Sequence, residues 1–392
     1  MKNHFIIIAV LLAVAAGGYS QNAQEKILTG IEKNNTTLAA LRKSAEAEKI
    51  SNKTGLYLQN PEVAFNYLWG SPVTVGSRTD ISVLQTFDFP TAYGVRKEMA
   101  GQRDIQTELE YVRQYRIILT KARQYLTELT YLNARKSESE KRVEHAREIA
   151  DAYKTRFDAG DANILEMNKA QINLLNRTKE FESIEIGRKF VLAELTGLNG
   201  GIPVDFQEFQ YSANPLAPDF EQWYGQMEAA NPLLGWLREE VALSQNRVKL
   251  NKAMALPKMQ AGYMSEKVVG QQYQGVTLGM TIPLWENKNQ VKFAKAKVLS
   301  VQEMETDLKV VLYNQLKGLY AKAEGLRTNL ADYQLQLERF SSTALLRKAL
   351  EKGEISLAEY IFELSQFYEG IDNLLALERD LNETLVELYQ YR

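Results

Sequence analysis

The sequence contains no cysteine, which excludes a disulfide, a thiolate metal site, a cysteine nucleophile and a lipid-modified N-terminal cysteine. There are two histidines, His4 and His145, so a histidine-rich metal site is excluded as well. Lys and Arg total 47 and Asp and Glu total 49, which gives a net charge of −2. The sequence therefore lacks the excess of basic residues that is typical of nucleic-acid-binding proteins. No Gly-rich phosphate loop is present. We therefore predict no catalytic, cofactor-binding or metal site and no nucleic-acid partner.

Long apolar runs are also scarce. The run from Phe5 to Ala16 follows Lys2 and precedes the small-residue segment Gly18-Tyr19-Ser20, which predicts a cleaved signal peptide over residues 1–20. No later run reaches 18 apolar residues, so we expect no membrane-spanning helix. Any part of the chain inside a membrane must then be β-strand.

Proline is absent from two long stretches, 91–202 and 284–392, and proline interrupts helices. Pro90 and Pro283, which precede these stretches, are 193 residues apart. The glycines of two turn motifs, Gly160 and Gly353, have the same separation. These landmarks predict a tandem repeat: repeat one over 21–198, a linker or equatorial segment over 199–226, and repeat two over 227–392.

Each repeat contains two segments in which apolar and polar residues alternate, predicting strands at about 60–69, 79–89, 258–264 and 273–282. A soluble antiparallel sheet shows the same alternation, but the export signal and the repeat favour membrane strands. Four strands are too few to close a barrel, so several chains must build one. The predicted lipid-facing residues are Val63, Phe65, Tyr67, Trp69, Val83, Phe87, Phe89, Tyr263, Val276, Leu278, Met280 and Ile282.

Helical periodicity predicts a long antiparallel coiled-coil hairpin after each strand pair, over about 92–198 and 285–392. The first helix, 92–157, would be about 100 Å long. We expect continuous helices over 25–53 and 220–252 before the strands, and over 288–350 in the second hairpin. The polar segment Asn133–Arg142 and the nearby His145 are expected to be solvated.

The turn sequences resemble the hairpin tips of the TolC family of outer-membrane efflux proteins. The resemblance rests on Arg156-Phe157-Asp158-Ala159-Gly160-Asp161-Ala162-Asn163-Ile164-Leu165-Glu166 and on Leu350-Glu351-Lys352-Gly353-Glu354-Ile355-Ser356-Leu357-Ala358-Glu359-Tyr360. Asn60-Pro61-Glu62-Val63 and Val191-Leu192-Ala193-Glu194-Leu195-Thr196-Gly197 are similar too, and point to the heavy-metal CusC/CzcC-like branch.

The resemblance implies a mostly α fold with a small β part, in which three chains form one β-barrel and one α-helical periplasmic tunnel. It further implies a passive export duct in the outer membrane of a Gram-negative bacterium, for metal cations or small toxic compounds. Its partners would be a periplasmic adaptor (membrane fusion) protein and an inner-membrane pump of the RND type. Many relatives carry an N-terminal lipidated cysteine, and this sequence has none.

The charged residues at the tips are candidates for a closed periplasmic aperture, because an inward acid becomes a ring of three in a trimer. These are Asp158, Asp161, Glu351, Glu354 and Glu359, with Arg156 and Lys352 as basic neighbours. The candidate adaptor contacts are Gly160, Ile164, Leu165, Gly353, Ile355 and Leu357. Two alternatives stay open: the outer-membrane duct of a type I protein-secretion system, and a soluble periplasmic coiled-coil scaffold.

Overall fold

The structure is a computed structural model that describes residues 23–212, 215–340 and 343–390. The predicted signal peptide lies outside the described residues. Within the described ranges, no helix is both long enough and apolar enough to span a membrane.

The same order of elements occurs twice, which confirms the predicted fold of helices, two strands and a long helical hairpin in tandem. The first half contains α1 (23–34), α2 (Thr36–Ser51), β1 (Glu62–Trp69), β2 (Ser77–Phe87), α3 (Pro90–Asp158) and α4 (Ile164–Leu198). The second half contains α5 (Phe220–Ala230), α6 (Pro232–Met254), β3 (Lys258–Val268), β4 (Gln271–Thr281), α7 (Gln290–Arg339), α8 (Thr343–Glu351) and α9 (Leu357–Leu388).

The helices before the strands are each divided at an asparagine, so the prediction of single helices over 25–53 and 220–252 is wrong. The Asn35 side chain accepts a hydrogen bond from the backbone N–H of Leu38 at 2.8 Å. The Asn231 side chain accepts from the backbone N–H groups of Leu233 and Leu234 at 2.9 and 3.2 Å. Asparagine is among the best N-cap residues because its oxygen replaces a missing helical acceptor. The two asparagines occupy matching places in the repeat.

Replacing Asn231 by alanine is expected to destabilise the protein by about 1 kcal/mol, because two N–H groups of α6 lose their acceptor. Asn231→Asp keeps an acceptor oxygen and should remain close to wild type. Thermal unfolding of the detergent-solubilised protein, followed by circular dichroism, measures both variants. Equal losses in the two variants would show that the cap is not the cause.

Other boundaries differ from the predictions. β2 ends at Phe87, and Pro90 opens α3 at a position where a helix tolerates proline. β3 and β4 continue to a tight turn at Gly270 (φ +77°), beyond the predicted apolar alternation. The predicted helix over 288–350 is two helices, since α7 ends at Arg339 and α8 begins at Thr343.

The chain divides into two compact units, and segments of both repeats enter each unit. The helical unit comprises the described residues within Met1–Ala39, Gln114–Met227 and Tyr313–Arg392. The sheet unit comprises Ala40–Arg113 and Glu228–Leu312, and holds one antiparallel sheet in the order β1-β2-β3-β4. One apolar cluster of the helical unit includes Leu126, Leu129 and Leu195, and another includes Ile149, Leu357 and Tyr360.

Candidate functional site

The two hairpin tips have the same backbone geometry. Gly160 (φ +81°) and Gly353 (φ +74°) both adopt the left-handed conformation that glycine adopts without strain. The next N–H in each tip closes the preceding helix: Asp161 donates to the carbonyl of Arg156 at 2.7 Å, and Glu354 to that of Ala349 at 2.9 Å. The turn glycines are therefore needed for the chain to reverse.

Three residues after each glycine, a capping box starts the returning helix. Asn163 and Glu166 exchange side-chain and backbone hydrogen bonds at the start of α4, and Ser356 and Glu359 do the same at the start of α9. The hydrogen bond from the backbone N–H of Ser356, at 2.8 Å, lowers the pKa of Glu359. The cap thus accounts for the position of Glu359, and its role in an aperture stays a prediction.

The other aperture candidates are solvent-exposed. The Arg156 guanidinium lies 5.1 Å from the centre of the Tyr153 ring and donates to the carbonyl of Asp161 at 3.3 Å. The Glu351 carboxylate accepts from Arg347 of α8 at 3.2 Å. The exposed candidates are Arg156, Asp158, Asp161, Glu351, Lys352 and Glu354. Whether they surround an aperture stays a prediction.

The apolar residues of the two tips differ in exposure. Ile164 is 47% exposed and Leu165 is 68% exposed, so both are available to a partner. Leu357, which matches Ile164 in the repeat, is 2% exposed, and its prediction as a surface contact is wrong. It packs in the cluster with Ile149 and Tyr360, because α9 is covered on this side by α3. Ile355 is half-buried against the same cluster.

His145 is half-buried and hydrogen-bonded to a neighbouring helix, whereas a solvated residue was expected. Its Nε2 lies 2.8 Å from the hydroxyl of Tyr360, and its Nδ1 lies 3.2 Å from the hydroxyl of Tyr368. Burial, followed by the positive charge of Arg347, lowers the pKa of the imidazole. The ring therefore connects α3 to α9.

The polar segment of α3 before His145 is partly buried, although a solvated stretch was expected. The Arg142 side chain is 2% exposed and makes two hydrogen bonds to the Asp372 carboxylate, at 2.9 and 3.0 Å. Asn133 accepts from the Arg188 guanidinium at 2.6 Å and donates to the carbonyl of Glu208 at 2.9 Å. A run of charged residues can be buried when the facing helices supply matching charges and hydrogen-bond groups.

The strand register brings the predicted apolar residues onto one face of the sheet, the apolar sheet face. Val63 pairs with Val83, Val83 with Tyr263, and Tyr263 with Val276, and directly paired residues point to the same side. Ten of the predicted residues lie on this face: Val63, Phe65, Tyr67, Trp69, Val83, Phe87, Tyr263, Val276, Leu278 and Met280. All of these are exposed except Phe87, which is half-buried. Phe89 and Ile282 lie beyond the strand ends.

The opposite face of the sheet carries charged residues that the sequence reasoning did not single out. Asp80 and Glu266 are directly paired across β2 and β3, where two like charges would repel. The Arg78 guanidinium contacts both carboxylates, at 2.8 and 3.2 Å, and offsets the repulsion. The sheet therefore has one apolar face and one polar, charged face.

The fold is shared with solved outer-membrane channels. The Campylobacter jejuni CmeC outer membrane channel matches with a TM-score of 0.76 and 14% identity, covering 94% of this chain and 85% of that chain. The outer membrane protein VceC from Vibrio cholerae matches with a TM-score of 0.71 and 11% identity, covering 95% and 96%. CusC matches with a TM-score of 0.69 and 13% identity, covering 94% and 92%.

No protein-family model matches the sequence, and no curated protein matches it. The structural matches extend over nearly the whole chain, so the predicted outer-membrane-channel fold is confirmed for a single chain. The trimer, the closed barrel and the roles of the tip residues remain predictions.

Proposed function

We propose that this protein is a homotrimeric outer-membrane channel of a tripartite efflux system in a Gram-negative bacterium. The observation that carries this proposal is the channel fold, matched over 94% of the chain, together with the exposed apolar sheet face. The duct is passive. It supplies a path across the periplasm and the outer membrane, and the energy comes from a separate pump.

The sheet supports assembly from several chains. Its order leaves one edge of β1 and one edge of β4 without a partner among the described strands. In lipid, unpaired backbone groups cost several kcal/mol each, so the edges must pair with those of neighbouring chains. Three chains would give a barrel of twelve strands with the apolar sheet face toward outer-membrane lipid and the charged face toward the lumen.

The tips support docking to other proteins. Ile164 and Leu165 form an exposed apolar pair next to the turn at Gly160, and such a pair at a helical end is suited to a protein partner. The partner we propose is a periplasmic adaptor protein that links the duct to an inner-membrane pump of the RND type. In a trimer the exposed acids Asp158, Asp161, Glu351 and Glu354 would each form a ring around the periplasmic aperture, with Arg156 and Lys352 offsetting their repulsion.

The proposed cargo is metal cations or small toxic compounds. CusC has a TM-score of 0.69 against 0.76 for CmeC, so the fold does not favour the CusC branch over other channels. A duct whose pump selects the substrate carries little information on cargo in its own lining. The substrate class has to come from experiment.

The test is growth of a Gram-negative host that lacks this gene, with and without complementation, on graded zinc, cobalt, cadmium and copper salts beside lipophilic drugs and detergents. We expect sensitivity of the deletion strain to at least one class and rescue by the wild-type gene. Sensitivity to metals alone would assign the metal branch, and sensitivity to drugs would assign multidrug efflux.

No sensitivity in any class, combined with loss of a secreted protein from the medium, would replace the proposal by type I secretion. Recovery of the protein from the periplasm without detergent would instead support the soluble scaffold. Both outcomes overturn the efflux proposal.

A further inference from the structure

A cavity of about 860 Å³ lies in the sheet unit, where β2 ends and α3 begins. Its volume is within the range of small-molecule binding sites. The apolar part of its wall consists of residues that strand pairing places on the apolar sheet face: Phe87, Met259, Ala261, Leu278 and Met280. Asp88 and Tyr93 belong to the same wall. The cavity therefore combines a long apolar surface with polar groups near the start of α3.

The carboxylate of Asp88 has only one of its two oxygens in a hydrogen bond. Asp88 is 6% exposed, and its Oδ2 accepts from the Arg96 guanidinium at 2.6 Å. Its Oδ1 is buried without a hydrogen-bond partner among the described residues. A buried carboxylate oxygen without a donor is unfavourable, so Oδ1 can accept a donor that a bound molecule supplies.

Two donor groups lie next to the same carboxylate. The Arg96 guanidinium contacts Asp88 and the Met254 sulfur, at 2.6 and 3.3 Å, through a single nitrogen. Its other nitrogens make no hydrogen bond among the described residues. The Tyr93 hydroxyl accepts from the backbone N–H of Asp88 at 3.0 Å and keeps its own proton for donation. An acceptor beside two donors complements a zwitterionic group that carries an ammonium and a phosphate.

The position of the cavity along the strands matches that of a lipid head group. β2 and β4 contain 11 residues each, which is about the length of a tilted strand that crosses a bilayer. In a membrane the strand ends would therefore lie at the two boundaries with water. The cavity lies at the strand ends that adjoin the long helices, and Tyr93 is of a residue type that is common at such boundaries. The apolar wall extends from this boundary along the strands.

We propose that this cavity binds one phospholipid with an ethanolamine head group. The ammonium donates to Asp88 Oδ1, the phosphate accepts from Arg96 and Tyr93, and one acyl chain lies along the apolar wall. Protein atoms cover Oδ1, so a side chain of the wall must move to admit the ammonium. The wall contains two methionines, whose unbranched side chains change conformation easily. The orientation of the lipid in a membrane rests on the proposed function, whereas the preference for an ammonium rests on Asp88.

Native mass spectrometry of the full-length protein in detergent tests the proposal. The probes are phosphatidylethanolamine, phosphatidylcholine and phosphatidylglycerol with identical acyl chains. The choline nitrogen is fully methylated and cannot donate a hydrogen bond, and the glycerol head carries no ammonium. We expect phosphatidylethanolamine to bind about tenfold more tightly than either of the other two, because only its head group donates a charged hydrogen bond to Asp88.

Two variants test the polar and the apolar parts of the site separately. Asp88→Asn keeps the shape of the side chain but removes its charge, so the preference for phosphatidylethanolamine over phosphatidylcholine should fall to about onefold. Ala261→Trp fills the apolar part of the cavity, so the binding of all three lipids should weaken. Val276→Trp is the matched control, because it places the same side chain on the same sheet face outside the cavity lining. Its lipid binding should equal that of the wild type.

Equal affinity of the wild type for phosphatidylethanolamine and phosphatidylcholine would overturn the proposal, and so would an unchanged preference in Asp88→Asn. Loss of the oligomer in Ala261→Trp but not in Val276→Trp would overturn it too, since a second copy of the chain would then fill the cavity. If Asp88→Asn does not fold, the wild-type comparison and the two tryptophan variants still decide. Lipid binding is measured without transport, so a negative growth test would reject the efflux proposal and leave this result interpretable.

Discussion

Replacing Val276 by lysine is expected to remove most of the assembled protein from the outer membrane, whereas lysine at the adjacent Thr277 is expected to be tolerated. Val276 is 81% exposed and continues the apolar row that begins at Val63. A lysine on the lipid face of a membrane barrel costs about 2–4 kcal/mol near the bilayer centre, and each chain of a trimer would carry one. Thr277 points to the polar face, where a cation remains in water.

Cell fractionation followed by native electrophoresis of the detergent extract measures the assembled fraction. The pair is well matched, because the two positions are consecutive on one strand and receive the same side chain. Loss of the assembled protein with Thr277→Lys but not with Val276→Lys would reverse the assignment of the lipid-facing and polar faces of the sheet. Normal assembly of both variants would contradict membrane insertion through this sheet and favour the soluble scaffold.

The apolar sheet face could be predicted from the sequence because side chains in a strand alternate with a period of two. The sequence of each strand therefore indicates which of its faces is apolar, without information on the other strands. The extension of β3 to Val268 was missed because Ser265, Glu266 and Lys267 interrupt the apolar alternation. Pairing between strands supplied the additional residues, and pairing is a property of the folded chain.

The tips were predictable for a similar local reason. A glycine with positive φ, a cap residue three positions later and a glutamate after that are all contained within ten residues. The exposure of the tip side chains was not predictable in this way. Leu357 and Ile164 hold equivalent places in the repeat, but α3 covers α9 and buries only Leu357 of the two. An internal repeat shows which positions correspond, and packing against other helices decides which of them are buried.

The buried polar contacts of α3 were missed because their partners are far away in the sequence. His145 meets Tyr360 across 215 residues, and Arg142 meets Asp372 across 230 residues. Charged side chains in one helix look the same in the sequence whether water or another helix faces them. The available sequence signal was a set of complementary charges at corresponding positions along α9. Recognising them requires knowledge of how the two hairpins pack against each other.

Replacing Asp372 by alanine is expected to destabilise the helical unit by about 3 kcal/mol, because the buried Arg142 cation then loses its bidentate partner. The Glu180 carboxylate, 3.6 Å from Arg142, retains part of the interaction, which places the loss at the lower end for a broken buried pair. Thermal unfolding of the solubilised protein gives the size of the effect. Lys141→Ala is the control, since Lys141 pairs with Glu138 on the exposed surface at 2.6 Å, and such pairs contribute about 1 kcal/mol or less.

The double variant Arg142→Met with Asp372→Leu tests whether the two charges stabilise the protein as a pair. It removes both charges together, so no buried cation remains without a partner, and its loss should be well below the sum of the two single variants. If the loss of stability in the double variant equals the sum of the losses in the two single variants, the two side chains act independently despite their 2.9 Å contact. A loss in Asp372→Ala no larger than in Lys141→Ala would show that the hairpins are held by their apolar clusters alone. The expected non-additive result instead makes the ion pair a determinant of how the hairpins align, because a misaligned pair leaves Arg142 buried without its acceptor.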